Sequence, residues 1–138
     1  MFRQFITVSL SVLILCSLTL SAAKAEDVDC SFEKGMVKTN ECVGQKYDML
    51  KAELDEVYKE AVAFAKKADE NPGNENPIAE ELLKKSQKIW EEYRDATCEA
   101  EAHIYTGLQA ILLRTNICYS NMMQERINFL REHFTEYK

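Results

Sequence analysis

The chain has 138 residues and a formal net charge of −6, with 17 Lys and Arg against 23 Asp and Glu. Its length suits one domain once any targeting segment is set aside. The acidic balance excludes a surface that coats nucleic acid or anionic lipid, because both require a basic face.

The first residues read as a secretory leader. Arg3 supplies the positive start, an apolar stretch runs from Phe5 to Leu20, and Ser21-Ala22-Ala23-Lys24-Ala25 follows. Ala23 and Ala25 stand at the −3 and −1 positions of an A-x-A cleavage site, which places the cut before Glu26 and makes residues 1–25 the signal peptide. The apolar stretch is interrupted by Ser and Thr and is shorter than the roughly 20 residues of a spanning helix. Cys16 lies within it behind Leu13-Ile14-Leu15, and the bulk of Leu15 argues against lipoprotein processing there. The remaining domain, 26–138, loses Arg3 and Lys24, so 15 basic against 23 acidic residues give −8. An exported location, periplasmic or extracellular, is expected, with no membrane association after cleavage. A charge of this sign steers the protein toward cationic partners, or serves only to keep an exported domain soluble.

Four cysteines survive cleavage: Cys30, Cys42, Cys98 and Cys118. An even count in an exported chain reads as two disulfides, for which three connectivities exist. The spacing contains no C-x-x-C, and neither His103 nor His133 stands at ligand spacing from a cysteine pair, so no metal site and no other cofactor is expected.

After an irregular lead-in over 26–36, Val43, Tyr47, Leu50, Leu54, Val57, Ala61, Phe64 and Ala68 recur at alternating intervals of four and three. That is the seam of a long helix in a bundle, with Lys46, Lys51, Glu53, Asp55, Glu56, Lys59 and Glu60 on its solvated face. Asn71-Pro72-Gly73-Asn74-Glu75-Asn76-Pro77 breaks the pattern. Asn76 as cap and Pro77 as first residue start a second helix reaching about Tyr105. Leu82, Ser86, Ile89, Tyr93, Ala96, Ala100 and Ile104 are expected inward, Trp90 at the edge, and Gly107 as the stop. A third helix carries Leu113, Ile117, Met123, Ile127, Leu130 and Phe134 and ends near His133 and Lys138. The fold class is therefore all-α, an antiparallel three-helix bundle. In that topology Cys42, Cys98 and Cys118 share one end, which favours the local pairings Cys30–Cys42 and Cys98–Cys118 and a bundle pinned there by disulfides.

No nucleophile elbow, phosphate loop or zinc-protease motif is present, and Gly35, Gly44, Gly73 and Gly107 are too scattered to cradle a phosphate. Acidic pairs such as Glu80-Glu81 and Glu91-Glu92 project in different directions from a helix, and His103 beside Glu99 or His133 beside Glu132 is ordinary helix-surface chemistry. No catalytic residue is expected. One stripe stands out: Trp90, Arg94 and Cys98 follow one another at intervals of four, with Asp95 alongside. Arg94 can lie over the Trp90 ring. Either the stripe braces the disulfide end, with Arg94 paired to an acid of the first helix such as Asp55, or it faces a ligand.

The same residues carry a resemblance. Cys30-x(11)-Cys42, the run Ala52-Glu53-Leu54-Asp55-Glu56-Val57-Tyr58, the block Gln87-Lys88-Ile89-Trp90-x-x-Tyr93-Arg94-Asp95-Ala96-x-Cys98, and Cys118 with Arg126 and Leu130 resemble the N-terminal domain of the lysozyme inhibitor LprI family. The W-x-x-[YF]-R-D-x-x-C block is its most specific part. The chain differs from the family pattern at Asp55, at Gly107-Leu108 and at Met123. The resemblance implies a small exported bacterial protein without enzymatic activity that binds another protein, a basic lysozyme being the implied target. A periplasmic immunity or adaptor role toward a different partner is the alternative.

Overall fold

The computed structural model describes residues 29–31 and 35–135; the expected leader 1–25 and expected cleavage site before Glu26 lie outside the described residues, as does Lys138. Three helices follow the lead-in: α1 Met36–Asp69, α2 Ala79–Ala102 and α3 Leu108–His133. No strand occurs among the described residues. Asn40 near the start of α1 hydrogen-bonds Gln109 at the start of α3, and Arg131 near the end of α3 pairs with Glu53 of α1 at 2.8 Å. Those two helices therefore run the same way. α2 runs against them, because Gln87 in its first half meets Arg126 late in α3 while Cys98 in its second half meets Cys118. The result is the antiparallel bundle expected from the sequence.

α1 forms as read. Val43, Leu50, Leu54, Val57 and Ala61 are buried and Tyr47 is half-buried against the core. In the last turns Ala65 takes the core position while Phe64 is only half-buried and Ala68 is exposed. A strict seven-residue repeat drifts by about 20° per heptad on a straight helix, and here α1 follows its own pitch rather than the repeat. α3 buries Leu113, Met123, Ile127 and Leu130. Together with Leu83 of α2 these side chains close a core in which each fully buried large aliphatic contributes about 1.5–3 kcal/mol.

α2 is rotated from its expected facing. Leu83, Gln87, Cys98 and Ala102 are buried, and Trp90 and Arg94 lean in beside them. Leu82, Ile89, Tyr93 and Ile104, expected inward, are 52, 55, 61 and 78% exposed; Ala96 and Ala100 are exposed as well, and Ser86 is half-buried. The cause is the disulfide. Cys98 must face Cys118, and that rotation carries Ala102, Arg94, Trp90 and Gln87 inward with it, four, four, eight and eleven residues away. Apolarity alone favours the other stripe.

Both helix boundaries around α2 also differ from expectation. The helix begins at Ala79, not Pro77, and Asn76 does not cap it. Asp69, the last residue of α1, does so from across the turn: its two carboxylate oxygens accept the N–H groups of Ala79 and Glu80, both at 2.9 Å. At the other end α2 stops at Ala102, and Gly107, at φ +90°, opens α3 instead of closing α2. Only glycine adopts that backbone angle without strain.

Candidate functional site

The disulfides are Cys30–Cys42 and Cys98–Cys118. The second is buried in the α2–α3 seam, with Cys98 Sγ 3.7 Å from Met122 Sδ. The first ties the lead-in onto α1, where the Thr39 hydroxyl also donates to Ser31 O and Gly35 O. A small pocket lined by Cys30, Val43, Ile117 and Ser120 lies between the lead-in, α1 and α3 and places both bridges in the same half of the bundle.

Trp90 and Arg94 belong to a longer structure than the sequence stripe suggests. The Arg94 guanidinium carbon lies 5.1 Å from the Trp90 ring centre and 5.0 Å from that of Tyr119 on α3. On the other side of Trp90 lies Arg126 of α3, at 5.7 Å, and beyond it Phe129, 5.3 Å from Arg126. The order Tyr119, Arg94, Trp90, Arg126, Phe129 alternates cations and rings along the seam. Tyr47 of α1 extends it through an edge contact with Tyr119 at 5.9 Å, and the His133 ring meets Phe129 at a tilt of 54° with ring centres 4.7 Å apart. Cation–ring contacts contribute about 0.5–1 kcal/mol when exposed and about 2 kcal/mol when desolvated. Arg94 and Arg126 therefore act as spacers that hold α2 against α3.

The anticipated Arg94–Asp55 pair does not form. Asp55 pairs with Lys51 of its own helix at 3.0 Å, and Arg94 donates from Nε and Nη2 to Asp95 Oδ1 at 2.9 and 2.7 Å. Asp95 thereby fixes the plane in which Arg94 enters the ladder, while its own side chain stays exposed at the rim. Such a solvated pair adds little stability by itself. His103 likewise meets the Glu99 backbone carbonyl, at 2.8 Å, as part of the end of α2.

Arg126 is the member sequence reasoning placed only within the family pattern. It is 8% exposed, and its Nε donates to Gln87 Oε1 at 3.0 Å while Nη2 donates to Ser86 Oγ at 2.9 Å. Gln87 in turn donates to Glu91 Oε1 at 3.1 Å, so a neutral amide relays the buried charge to a surface carboxylate. Burial lowers the Arg126 pKa from its ordinary value, and Tyr58 and Glu91 oppose that shift. The periodicity carried no signal for this pair: Gln87 lies off the stripe read as inward, and Arg126 stands beside the core position Ile127 without belonging to the apolar series.

Trp90, Arg94 and Asp95 are thus brought together, with Cys98 one turn further on. Among the described residues no group of three His, Cys, Asp or Glu is placed to hold a metal ion. No helix among them is long and apolar enough to cross a membrane. A groove of about 640 Å³ between the ends of α1 and α3, lined by Glu60, Phe64, Lys67, Arg131 and Phe134, contains none of the ladder's α2 residues.

Fold and site together define a disulfide-pinned three-helix domain zipped by a cation–aromatic ladder. The chain belongs to the family described as Lysozyme inhibitor LprI, which matches residues 30–130, from the first bridging cysteine to the last buried leucine. It is 29% identical over 127 residues to the uncharacterized protein R02472 of Rhizobium meliloti (strain 1021), covering 90% of this chain and 91% of that one. It is also 37% identical over 60 residues to the uncharacterized protein YecT of Escherichia coli (strain K12), across 42% of this chain and 36% of that protein. No solved structure matches.

Proposed function

We propose that the chain is an exported, non-enzymatic binding domain that acts on a protein partner, and that the partner is a basic lysozyme. The observation carrying this reading is the family match over residues 30–130, which takes in all four bridging cysteines and the ladder from Tyr119 through Arg94, Trp90 and Arg126 to Phe129. Three features support it. The leader ends in an A-x-A site before Glu26, and two disulfides suit an oxidising compartment. The ladder and bridges hold the surface in one shape, which lowers the entropic cost of binding. Exposed carboxylates on two helices, Glu41, Asp48 and Glu56 of α1 with Glu91 and Asp95 of α2, complement a basic enzyme.

Muramidase activity measured with the oxidised protein in excess tests the reading. Stoichiometric loss of activity, weaker as salt rises, is expected. Undiminished activity against several lysozyme types would pass the role to the periplasmic immunity or adaptor reading, where pull-down from periplasm identifies a different partner. N-terminal sequencing of the exported protein checks the leader, with Glu26 expected first.

A further inference from the structure

The two bridges stand in different surroundings. Cys98 and Cys118 are 0 and 6% exposed and belong to helices on the two sides of the α2–α3 seam, with Met122 Sδ packed on Cys98 Sγ. Cys30 and Cys42 are only half-buried, and Cys30 lies outside any helix. Cys30 also lines the open pocket of about 250 Å³ whose walls include Val43, Lys46, Ile117 and Ser120. A small reagent therefore approaches this bridge without parting two helices. Besides the bridge, the Thr39 hydroxyl holds the lead-in to α1 through Ser31 O at 3.3 Å.

We infer that Cys30–Cys42 is a redox-labile bridge, opened by a dithiol donor while Cys98–Cys118 stays closed, and that its opening frees residues 29–31 from α1. Accessible disulfides are the ones that exchange, and exchange proceeds by thiolate attack on one sulfur. The donor's thiolate attacks Cys30 Sγ, the sulfur at the pocket wall; the S–S bond breaks, and Cys42 leaves as a thiolate that takes a proton from water. The donor's second thiolate then attacks the mixed disulfide, and Cys30 leaves and is protonated in turn. Two electrons have passed: the donor ends as a disulfide and the bridge as two thiols. Lys46 stands one turn beyond Cys42 on α1 and lines the same pocket as Cys30. Its positive charge favours the departing Cys42 thiolate, and among the described residues no carboxylate is ion-paired with it. Asp29 opposes it from the rim, but is exposed and therefore screened. The buried bridge resists for two reasons. Reaching it requires parting α2 from α3 against the ladder. Once reduced, its cysteines stay opposed on packed helices and reclose, whereas nothing of that kind returns Cys30 to Cys42.

Dithiothreitol applied to the oxidised exported protein without denaturant, with iodoacetamide quenching at intervals and peptide mass mapping, tests the inference. Cys30 and Cys42 should be modified together, about a hundredfold faster than Cys98 and Cys118. The two-thiol species should keep its helical circular dichroism and the near-UV signal of Trp90. Amide hydrogen exchange should quicken at residues 39–46 and not in α2. Lys46→Glu should slow the opening about threefold at low salt. Equal rates for the two bridges would overturn the inference, as would loss of the Trp90 signal in the two-thiol species. Unchanged exchange at residues 39–46, or a Lys46→Glu rate equal to the parent's, would do the same.

Discussion

At the residue scale, Arg126 shows how a cation is housed where the chain otherwise buries hydrocarbon. Its guanidinium is held by Gln87 and Ser86 and lies over both the Trp90 and the Phe129 ring. Arg126→Met keeps the apolar stem but strands the buried Gln87 oxygen, and should cost about 1–3 kcal/mol in urea denaturation. Adding Gln87→Leu removes the stranded group and should recover most of that loss, since removing both partners of a buried polar pair is nearly neutral. No recovery would mean that the ring contacts dominate. Tyr58 and Tyr119 make a second, pH-dependent case. Burial raises both phenol pKa values above the ordinary 10.0, so the unfolded chain ionises first. The stability from the neutral phenols is complete below about pH 10 and is lost as pH rises through the higher folded values. Tyr58→Phe and Tyr119→Phe should each flatten the fall of the unfolding midpoint above pH 10. At this scale the sequence disclosed the stacking of Arg94 on Trp90, because a four-residue interval places both on one helix face. It did not disclose Tyr119, Arg126 and Phe129 as continuations, because contacts between helices depend on the rotation of α2.

At the element scale, that rotation and the start of α2 are the two departures from the sequence reading, and both arise from residues distant in sequence. Capping rules look for a side chain just before the helix, where Asn76 stands, whereas the chain uses Asp69 ten residues ahead of Ala79. Asp69→Ala should lower stability by about 1 kcal/mol, and Asn76→Ala should leave it unchanged. Equal effects in thermal unfolding would refute the long-range cap. α1 and α3 were legible in detail because each has a single apolar stripe. α2 has two, and the amphipathic pattern cannot rank them. The Cys98–Cys118 bridge decides, turning the less apolar stripe inward and leaving Leu82, Ile89 and Tyr93 outside.

At the scale of the whole molecule, the bridges pin one half of a bundle whose other half relies on packing around Val57, Ala61, Ile127 and Leu130. The two bridges close loops of similar size but serve different ends. Cys98–Cys118 joins two core helices, with both cysteines buried, whereas Cys30–Cys42 holds a lead-in to α1. Replacing Cys98 and Cys118 with alanine should cost about 3 kcal/mol and loosen the α2–α3 ladder. Replacing Cys30 and Cys42 should cost less and leave the near-UV signal of Trp90 intact. The family was legible at this scale, since its cysteines and the Trp90–Cys98 block survive in order, and the match over residues 30–130 spans the bundle. Which surface would meet a partner was not legible, because sequence alone does not separate carboxylates that contact another protein from those that merely solvate the chain. The proposed function turns on a basic lysozyme as partner. Titrating a basic lysozyme with the oxidised protein at low and high salt tests it most directly: activity should fall to near zero at equimolar protein in low salt and recover in part as salt rises, whereas full activity at every ratio and both ionic strengths would contradict it.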